Sequence, residues 1–145
     1  FNAWLLLRGL RTLPSRIDRI TTTTKYVIDF LKNHEKVETV IFPFNKDFPQ
    51  YELAKKQMHG ACGLFSFVVK ASTINQIENF CENLKHILIA VSWGGHESLI
   101  IPGCASIKAE DFDSNNKDHR MMRLYVGLED ADYIIEDLER GFEAM

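Results

Sequence analysis

The order of strand-like and helical apolar patterns constrains the fold of this chain more than any other feature. LFSFVVK (64–70) is apolar on both faces, which is typical of a central strand. STINQIENFCENLK (72–85) then carries apolar side chains at helical spacing, and HILIAVSW (86–93) follows it as another strand. A strand, a connecting helix and a further strand predict one sheet with helices packed against it.

The flanking segments extend the same pattern. Two helices are expected at the beginning, from 2 to 13 and from Pro14 to about residue 33, because proline suits the first turn of a helix. The remaining predictions are a strand at 37–42, a short helix from Pro49 to 58, a last strand at 121–128 and a final helix capped by Asp130. The fold class is therefore α+β: a roughly four-stranded, mostly antiparallel sheet with helices mainly on one face, preceded by a long helical lead.

Composition excludes several classes of function. The net charge of −3 gives no basic footprint for nucleic acid or an anionic membrane surface. No apolar run is long enough to span a bilayer. Cys62, Cys81 and Cys104 are odd in number and widely spaced, which favours reduced thiols over a disulfide framework. We therefore expect a cytoplasmic chain that uses neither nucleic acid nor a membrane as a partner.

Five stretches, in family order, resemble the C-terminal domain of the Cys/Met-metabolism pyridoxal-phosphate enzymes, which include cystathionine lyases and synthases and methionine gamma-lyase. They are FNAWLLLRGLRTL, YELAKKQM, GLFSF, SWGGHESLIIP and MMRLYVGLEDADYIIEDLE. The resemblance implies that residues 1–33 connect to a larger N-terminal cofactor domain and that residues 34–145 form the C-terminal small domain. It also implies that pyridoxal 5'-phosphate is bound covalently outside this chain, and that the whole enzyme is a homo-oligomer, a tetramer in the family.

Lys25 lies in TTTTKY (21–26), which is similar to the family's cofactor-lysine motif. Helical spacing argues against that role. Lys25 shares a wholly polar stripe with Asp18 and Thr21 before it and Asp29 and Lys32 after it, opposite the apolar stripe. A lysine that forms an imine needs burial or a cationic neighbour to lower its pKa. We therefore predict a solvated lysine paired weakly with Asp29.

The resemblance also assigns candidate substrate-binding residues. Arg123, in RLYVG, corresponds to the arginine that binds the substrate α-carboxylate, a role that suits the planar guanidinium. The alternative for Arg123 is a structural ion pair with an acid of the chain. Ser92 corresponds to a second carboxylate contact, and the alternative is a serine bonded to its own turn. Ser106 falls near an active-site threonine of the family. Val91 replaces an acidic residue of many cystathionine-handling members, which favours an apolar thioether side chain.

Several other residues are not expected to act on a substrate. His96 and Glu97 have no nucleophile beside them, and the remaining histidines lack ligand spacing. Arg120 lies in a polar loop and is predicted to be solvated. Met121 and Met122 are predicted to be core residues.

The function implied by the resemblance is that of a carboxylate-orienting domain in a pyridoxal-phosphate-dependent carbon–sulfur lyase. Its substrates would be methionine, homocysteine or cystathionine, and the isolated segment would be inactive. The alternative is an independent α+β module that binds a small molecule or a protein without catalysis. A third possibility is that the leading helix, with Trp4 and its leucines, is only a docking surface.

Overall fold

The computed structural model describes all 145 residues, which form helices and a single β-sheet. The helices are α1 (Asn2–Arg11), α2 (Leu13–Asn33), α3 (Tyr51–Gln57), α4 (Ile74–Glu82) and α5 (Ala131–Ala144), with a short 3₁₀ helix at Ala109–Asp111. The strands are β1 (Val37–Ile41), β2 (Leu64–Val69), β3 (Leu88–Ile89), β4 (Leu99–Pro102) and β5 (Met121–Tyr125). The α+β fold class is confirmed.

The sheet has five strands in the order β1-β2-β5-β4-β3, so the predicted count of four is too low by one. All neighbours are antiparallel except β3 and β4, which are parallel. The missed strand is β4, which lies between the predicted strands 86–93 and 121–128. It is only four residues long, and its last residue is Pro102, which cannot donate a hydrogen bond to a ladder. The strand predicted at 86–93 is reduced to two paired residues at the sheet edge.

One face of the sheet is covered by helices and contains the main core. Met122 and Leu124 of β5 are fully buried there, as are Phe67 of β2 and Phe142 of α5. The apolar stripe of α2 enters the same core through Val27 and further buried residues. The other face has only a small cluster, formed by Ile20, Leu99 and Tyr125. The two faces therefore differ sharply in how much of their surface is covered.

Helix α5 is tied to the start of β3 by a buried carboxylate. Asp137 is fully buried and accepts hydrogen bonds from the backbone N–H groups of Lys85, His86 and Ile87 at 2.8, 2.9 and 2.9 Å. Burial acts to raise the pKa of Asp137, but these three donors outweigh it, and the pKa lies below its ordinary value. Asp137 therefore fixes the turn that leads into the edge strand.

Arg120, at the start of β5, is buried, and the prediction that it is solvated is wrong. Its guanidinium donates to the carboxylate of Glu38 at 2.6 Å and to the carbonyl of Val69 at 2.9 Å. Lys117 contacts the other oxygen of Glu38 at 2.7 Å. Hydrogen bonds from Lys117 and Arg120 hold the pKa of Glu38 below its ordinary value. Arg120 lies beside Val69 of β2 and reaches Glu38 of β1. The local sequence does not predict this contact, because the two charged residues are 82 positions apart.

Helix α1 differs from the others because it buries none of its residues. Phe1, Trp4, Leu6 and Leu7 are all more than half exposed. Helix α2, in contrast, is joined to α5 by an Arg19–Asp130 ion pair and by packing in the core. Asp130 is the N-cap residue of α5 as predicted, but its carboxylate contacts Arg19 of α2 and makes no capping hydrogen bond. None of the helices combines the length and hydropathy that crossing a membrane would require.

Candidate functional site

Arg123 lies in the middle of β5, on the face of the sheet that helices leave largely open. It pairs in register with Ser66 of β2 and Ile101 of β4. Side chains alternate along a strand, so the buried Met122 and Leu124 point into the core while Arg123 and Tyr125 point to the opposite face. Arg123 is half-buried and forms no ion pair with any carboxylate of the chain. The alternative of an internal structural ion pair is therefore not what the structure shows.

One hydrogen bond orients the Arg123 guanidinium. Its Nη2 atom donates to the carbonyl oxygen of Val91 at 2.5 Å. A guanidinium carries five N–H donors in a planar fork, so this contact leaves the others for an external acceptor. The arrangement presents a positive fork that is aimed by the backbone and not neutralised by an acid, which suits the binding of a carboxylate.

The segment from Val91 to Ser98, here called the pocket loop, covers this part of the open face. Tyr125 donates its hydroxyl hydrogen to the carbonyl of Gly95 at 3.0 Å, and burial raises the pKa of that hydroxyl. The backbone N–H of Leu128 donates to the carbonyl of His96 at 2.8 Å. Gly94 has a φ of +90°, which glycine adopts without strain. The loop is thus fixed to β5 and its extension at several points.

Ser92 and its neighbours lie where the pocket loop leaves Arg123. Ser92 is exposed and its hydroxyl makes no hydrogen bond within the chain, so it is not bonded to its own turn. Val91 is 70% exposed and Trp93 is 62% exposed. Arg123 and Val91 are brought together directly, and Ser92 follows Val91 in sequence.

An apolar cavity of about 270 Å³ opens beneath Trp93. Leu64 and Tyr125, a cross-strand pair two residues along from the Ser66–Arg123 pair, form part of its wall. Ile17 and Ile20 of α2 form another part. The site therefore combines a cationic fork with an adjoining apolar space.

Ser106 is not brought to this site by any hydrogen bond. It is exposed in the turn that follows β4, and no hydrogen bond joins it to the pocket loop or to Arg123. His96 is also exposed, with its Nδ1 atom 2.9 Å from a carboxylate oxygen of Glu97. Nowhere in the chain do three or more His, Cys, Asp or Glu side chains cluster as metal ligands would.

Comparison with known proteins identifies the family. The model of the family described as Cys/Met metabolism PLP-dependent enzyme matches residues 1–143. The chain belongs to this family. Members are pyridoxal-phosphate-dependent, and the family resemblance inferred from the sequence motifs is confirmed at this level.

Two relatives illustrate the range of the similarity. A cystathionine gamma-lyase of Dictyostelium discoideum is 38% identical over 147 residues, covering 99% of this chain and 38% of the relative. An L-methionine gamma-lyase of Treponema denticola is 36% identical over 149 residues, covering 100% of this chain and 37% of the relative. The chain thus spans little more than a third of the length of the relatives that it matches.

Solved structures of longer enzymes contain the same fold. A cystathionine gamma-synthase of Xanthomonas oryzae pv. oryzae, solved with aminoacrylate and cysteine, superposes with a TM-score of 0.84 at 29% identity over 98% of this chain and 38% of that one. A putative O-acetylhomoserine (thiol)-lyase of Campylobacter jejuni gives 0.82 at 31% identity, covers 98% of this chain and 35% of that one, and holds N'-pyridoxyl-lysine-5'-monophosphate. The fold neighbours are therefore pyridoxal-phosphate enzymes of sulfur amino acid metabolism.

Almost all lysines of this chain are exposed. Lys25 is exposed on α2, and no ion pair with Asp29 is present. Every other lysine is exposed as well, except Lys36, which is half-buried and donates to the carbonyls of Phe142 and Met145. A lysine that forms an imine needs burial or a cationic neighbour to lower its pKa. Lys25 is not buried, in agreement with the predicted solvated lysine.

The residues that support the site were not recognised from the sequence. Tyr125, Glu129 and Ser98 all help to fix the pocket loop. They lie in two of the stretches that carry the family resemblance, but no role was predicted for them. Their contacts join positions about thirty residues apart, and no local periodicity reports such pairs. Alternation along β5 is the one signal that could have placed Tyr125 on the same face as Arg123.

Proposed function

We propose that this chain is the C-terminal, substrate-orienting domain of a pyridoxal-phosphate-dependent carbon–sulfur lyase of sulfur amino acid metabolism. In this proposal residues 1–33 are the connecting helices and residues 34–145 are the small domain. The exposed apolar face of α1 supports the proposal, because a partner domain of the same polypeptide would bury that face.

The observation that carries the proposal is the state of Arg123. It is half-buried, oriented by the Val91 carbonyl and not paired with an internal acid. A charge in such a position is costly unless it has a partner, and a substrate carboxylate supplies one. Arg123 would bind the two carboxylate oxygens, and the free hydroxyl of Ser92 would donate to one of them. Together they would hold the substrate in one orientation relative to the cofactor.

The apolar surroundings favour an uncharged substrate side chain. Val91 and Trp93 present no acid to a distal ammonium group, and the cavity beneath Trp93 is apolar. A methionine-like thioether fits this environment better than a side chain that ends in a second zwitterion. The proposed class is therefore methionine gamma-lyase-like, with cystathionine as the poorer substrate. Ser106 stays a candidate substrate-binding residue.

The cofactor would be held by residues outside these 145, and the assembled enzyme would be a homo-oligomer. When bound, the cofactor acts as the electron sink that allows the carbon–sulfur bond to break. The part played by this chain would be to bind and orient the amino acid. By itself the chain should turn over no substrate.

Two assays test the proposal. The full-length polypeptide should release methanethiol and a 2-oxo acid from L-methionine, and hydrogen sulfide from L-homocysteine. The isolated chain, mixed with pyridoxal phosphate and borohydride, should acquire no stable adduct specific to Lys25, that is, none above the level on the other exposed lysines in peptide mass spectrometry. Absence of product from every sulfur amino acid would contradict the lyase assignment and would favour a binding module without catalysis.

A further inference from the structure

Glu129 lies four residues beyond β5 and contacts the end of the pocket loop. One carboxylate oxygen accepts the backbone N–H of Ser98 at 2.7 Å, and the other accepts the Ser98 hydroxyl at 2.8 Å. Ser98 is only 1% exposed, and its Oγ atom also accepts the backbone N–H of Gly127 at 2.9 Å. Hydrogen bonds to a charged acceptor are stronger than neutral ones. This two-point contact therefore fixes Ser98 firmly.

The backbone beside Glu129 is fitted closely to the same end of the loop. A Cβ atom added to Gly127 would come within 2.3 Å of the His96 carbonyl oxygen and 2.6 Å of a Glu129 carboxylate oxygen. Leu128 donates its N–H to that same carbonyl. Such a close approach requires glycine, so the chain at 127–129 and the loop at 96–98 form one rigid contact.

The other end of the pocket loop depends on Arg123. Val91 is fixed by the Arg123 guanidinium, while residues 92–94 make no hydrogen bond of their own. In the proposed function the same guanidinium must also bind the substrate carboxylate. The loop therefore needs an anchor that the substrate does not contact. Ser98 is buried and lies at the end of the loop away from Val91, so its two-point contact with Glu129 supplies such an anchor, beside the Tyr125–Gly95 and Leu128–His96 hydrogen bonds.

We propose that Glu129 is a positioning residue of the substrate site. It acts through Ser98 to hold the pocket loop, and with it Val91 and Ser92, over Arg123. This inference rests on the proposed function of Arg123 and Ser92. It goes beyond that function because Glu129 is not proposed to touch substrate or cofactor.

The test is the kinetics of Glu129→Ala in the full-length polypeptide, with L-methionine as substrate. Loss of the anchor lets the loop move, and a displacement of about 1 Å can cost up to a hundredfold, so we expect KM to rise tenfold or more. The kcat value should fall less than KM rises, because chemistry at the cofactor is not touched. Glu129→Gln keeps one acceptor for the Ser98 N–H, so its KM should lie between that of wild type and that of Glu129→Ala. Asp132→Asn removes the same charge from an exposed, unbonded position and is the matched control.

A second readout separates positioning from general destabilisation. Amide hydrogen exchange in Glu129→Gln should accelerate at Ser98, Gly127 and Leu128, whose N–H groups donate within this contact, and not in β2 or α5. Unchanged exchange at these three amides, or a KM within twofold of wild type in both Glu129 variants while Arg123→Met raises KM, overturns the inference but leaves the proposed function standing. If Arg123→Met also leaves KM unchanged, the proposed function fails and the inference fails with it. Should Glu129→Ala not fold, the glutamine variant decides.

Discussion

Arg120 immediately precedes β5, and Arg123 lies in the middle of that strand. The two arginines lie in opposite environments. Arg120 is buried and neutralised by Glu38, with Lys117 on the same carboxylate. Arg123 is half-buried and contacts only a backbone carbonyl. The first side chain has its partner within the fold, while the second keeps donors for a partner from outside. The comparison teaches that internal charge pairing, and not burial alone, separates a structural arginine from a binding one.

The same contrast holds for the two faces of the sheet. On the helix-covered face, Asp137 has all its partners within the chain. On the open face, Arg123 and Ser92 have unused hydrogen-bonding capacity. Variants on the covered face and around Arg120 should therefore change stability, whereas variants on the open face should change binding.

The largest effect is expected for Arg123→Met in the full-length polypeptide. Truncating one partner of a charged, hydrogen-bonded pair costs about 2–5 kcal/mol, so kcat/KM for L-methionine should fall by about 30-fold to several thousandfold. The thermal midpoint should change by only a few degrees, because no internal ion pair is lost. A large fall in thermal midpoint with unchanged kinetics would show that Arg123 stabilises the fold and does not bind the substrate.

Asp137→Asn should give the largest loss of stability. One amide oxygen cannot accept from three backbone donors, and each donor left unsatisfied costs about 1–3 kcal/mol, so we expect a loss of about 3 kcal/mol at neutral pH. The folded pKa of Asp137 is lowered, so its contribution is present above the unfolded pKa of about 3.9 and is lost as pH falls through the lower folded pKa. Denaturant unfolding at several pH values measures both the loss of stability at neutral pH and its dependence on pH. Wild-type and variant curves that run parallel from pH 6 to pH 3 would show that the carboxylate contributes nothing to acid unfolding.

Arg120→Met should be destabilising by about 2 kcal/mol without changing KM. The variant removes a buried donor from Glu38 and from the Val69 carbonyl, and methionine preserves most of the volume. Chemical denaturation and steady-state kinetics on the same preparation check the pair of expectations. A KM that rises as much as in Arg123→Met would erase the distinction between the two arginines.

The smallest effect is expected for Lys25→Gln. Lys25 is exposed and makes no ion pair, so stability should change by less than about 0.5 kcal/mol. Cofactor absorbance and activity of the full-length polypeptide should equal those of wild type. Loss of the cofactor spectrum in this variant would show that the resemblance to a cofactor-lysine motif is functional after all.

Much of the architecture follows from local pattern. The stripe of α2, the doubly apolar β2 and the stripe of α4 each have a period that the sequence displays directly. Even the exposure of Lys25 follows from helical spacing. These features are predictable because they depend on neighbours within a turn or a strand.

Long-range pairing was not predictable in the same way. The strand β4 was missed because four residues ending in Pro102 resemble a loop until β3 and β5 flank them. Arg120 was expected in solvent because Glu38 lies 82 residues away. Arg123 was identified from a family motif, but only the structure shows that it forms no ion pair with an acid of the chain.

The most direct measurement is a double-mutant cycle between Arg123 and the substrate carboxylate. Binding of L-methionine and of 3-(methylthio)propylamine, which lacks the carboxylate, is compared in the full-length wild type and in Arg123→Met. If the guanidinium binds the carboxylate, removing both partners costs far less than the sum of the two single losses, with a coupling of about 2 kcal/mol or more. A coupling within about 0.5 kcal/mol of zero would contradict the role of Arg123.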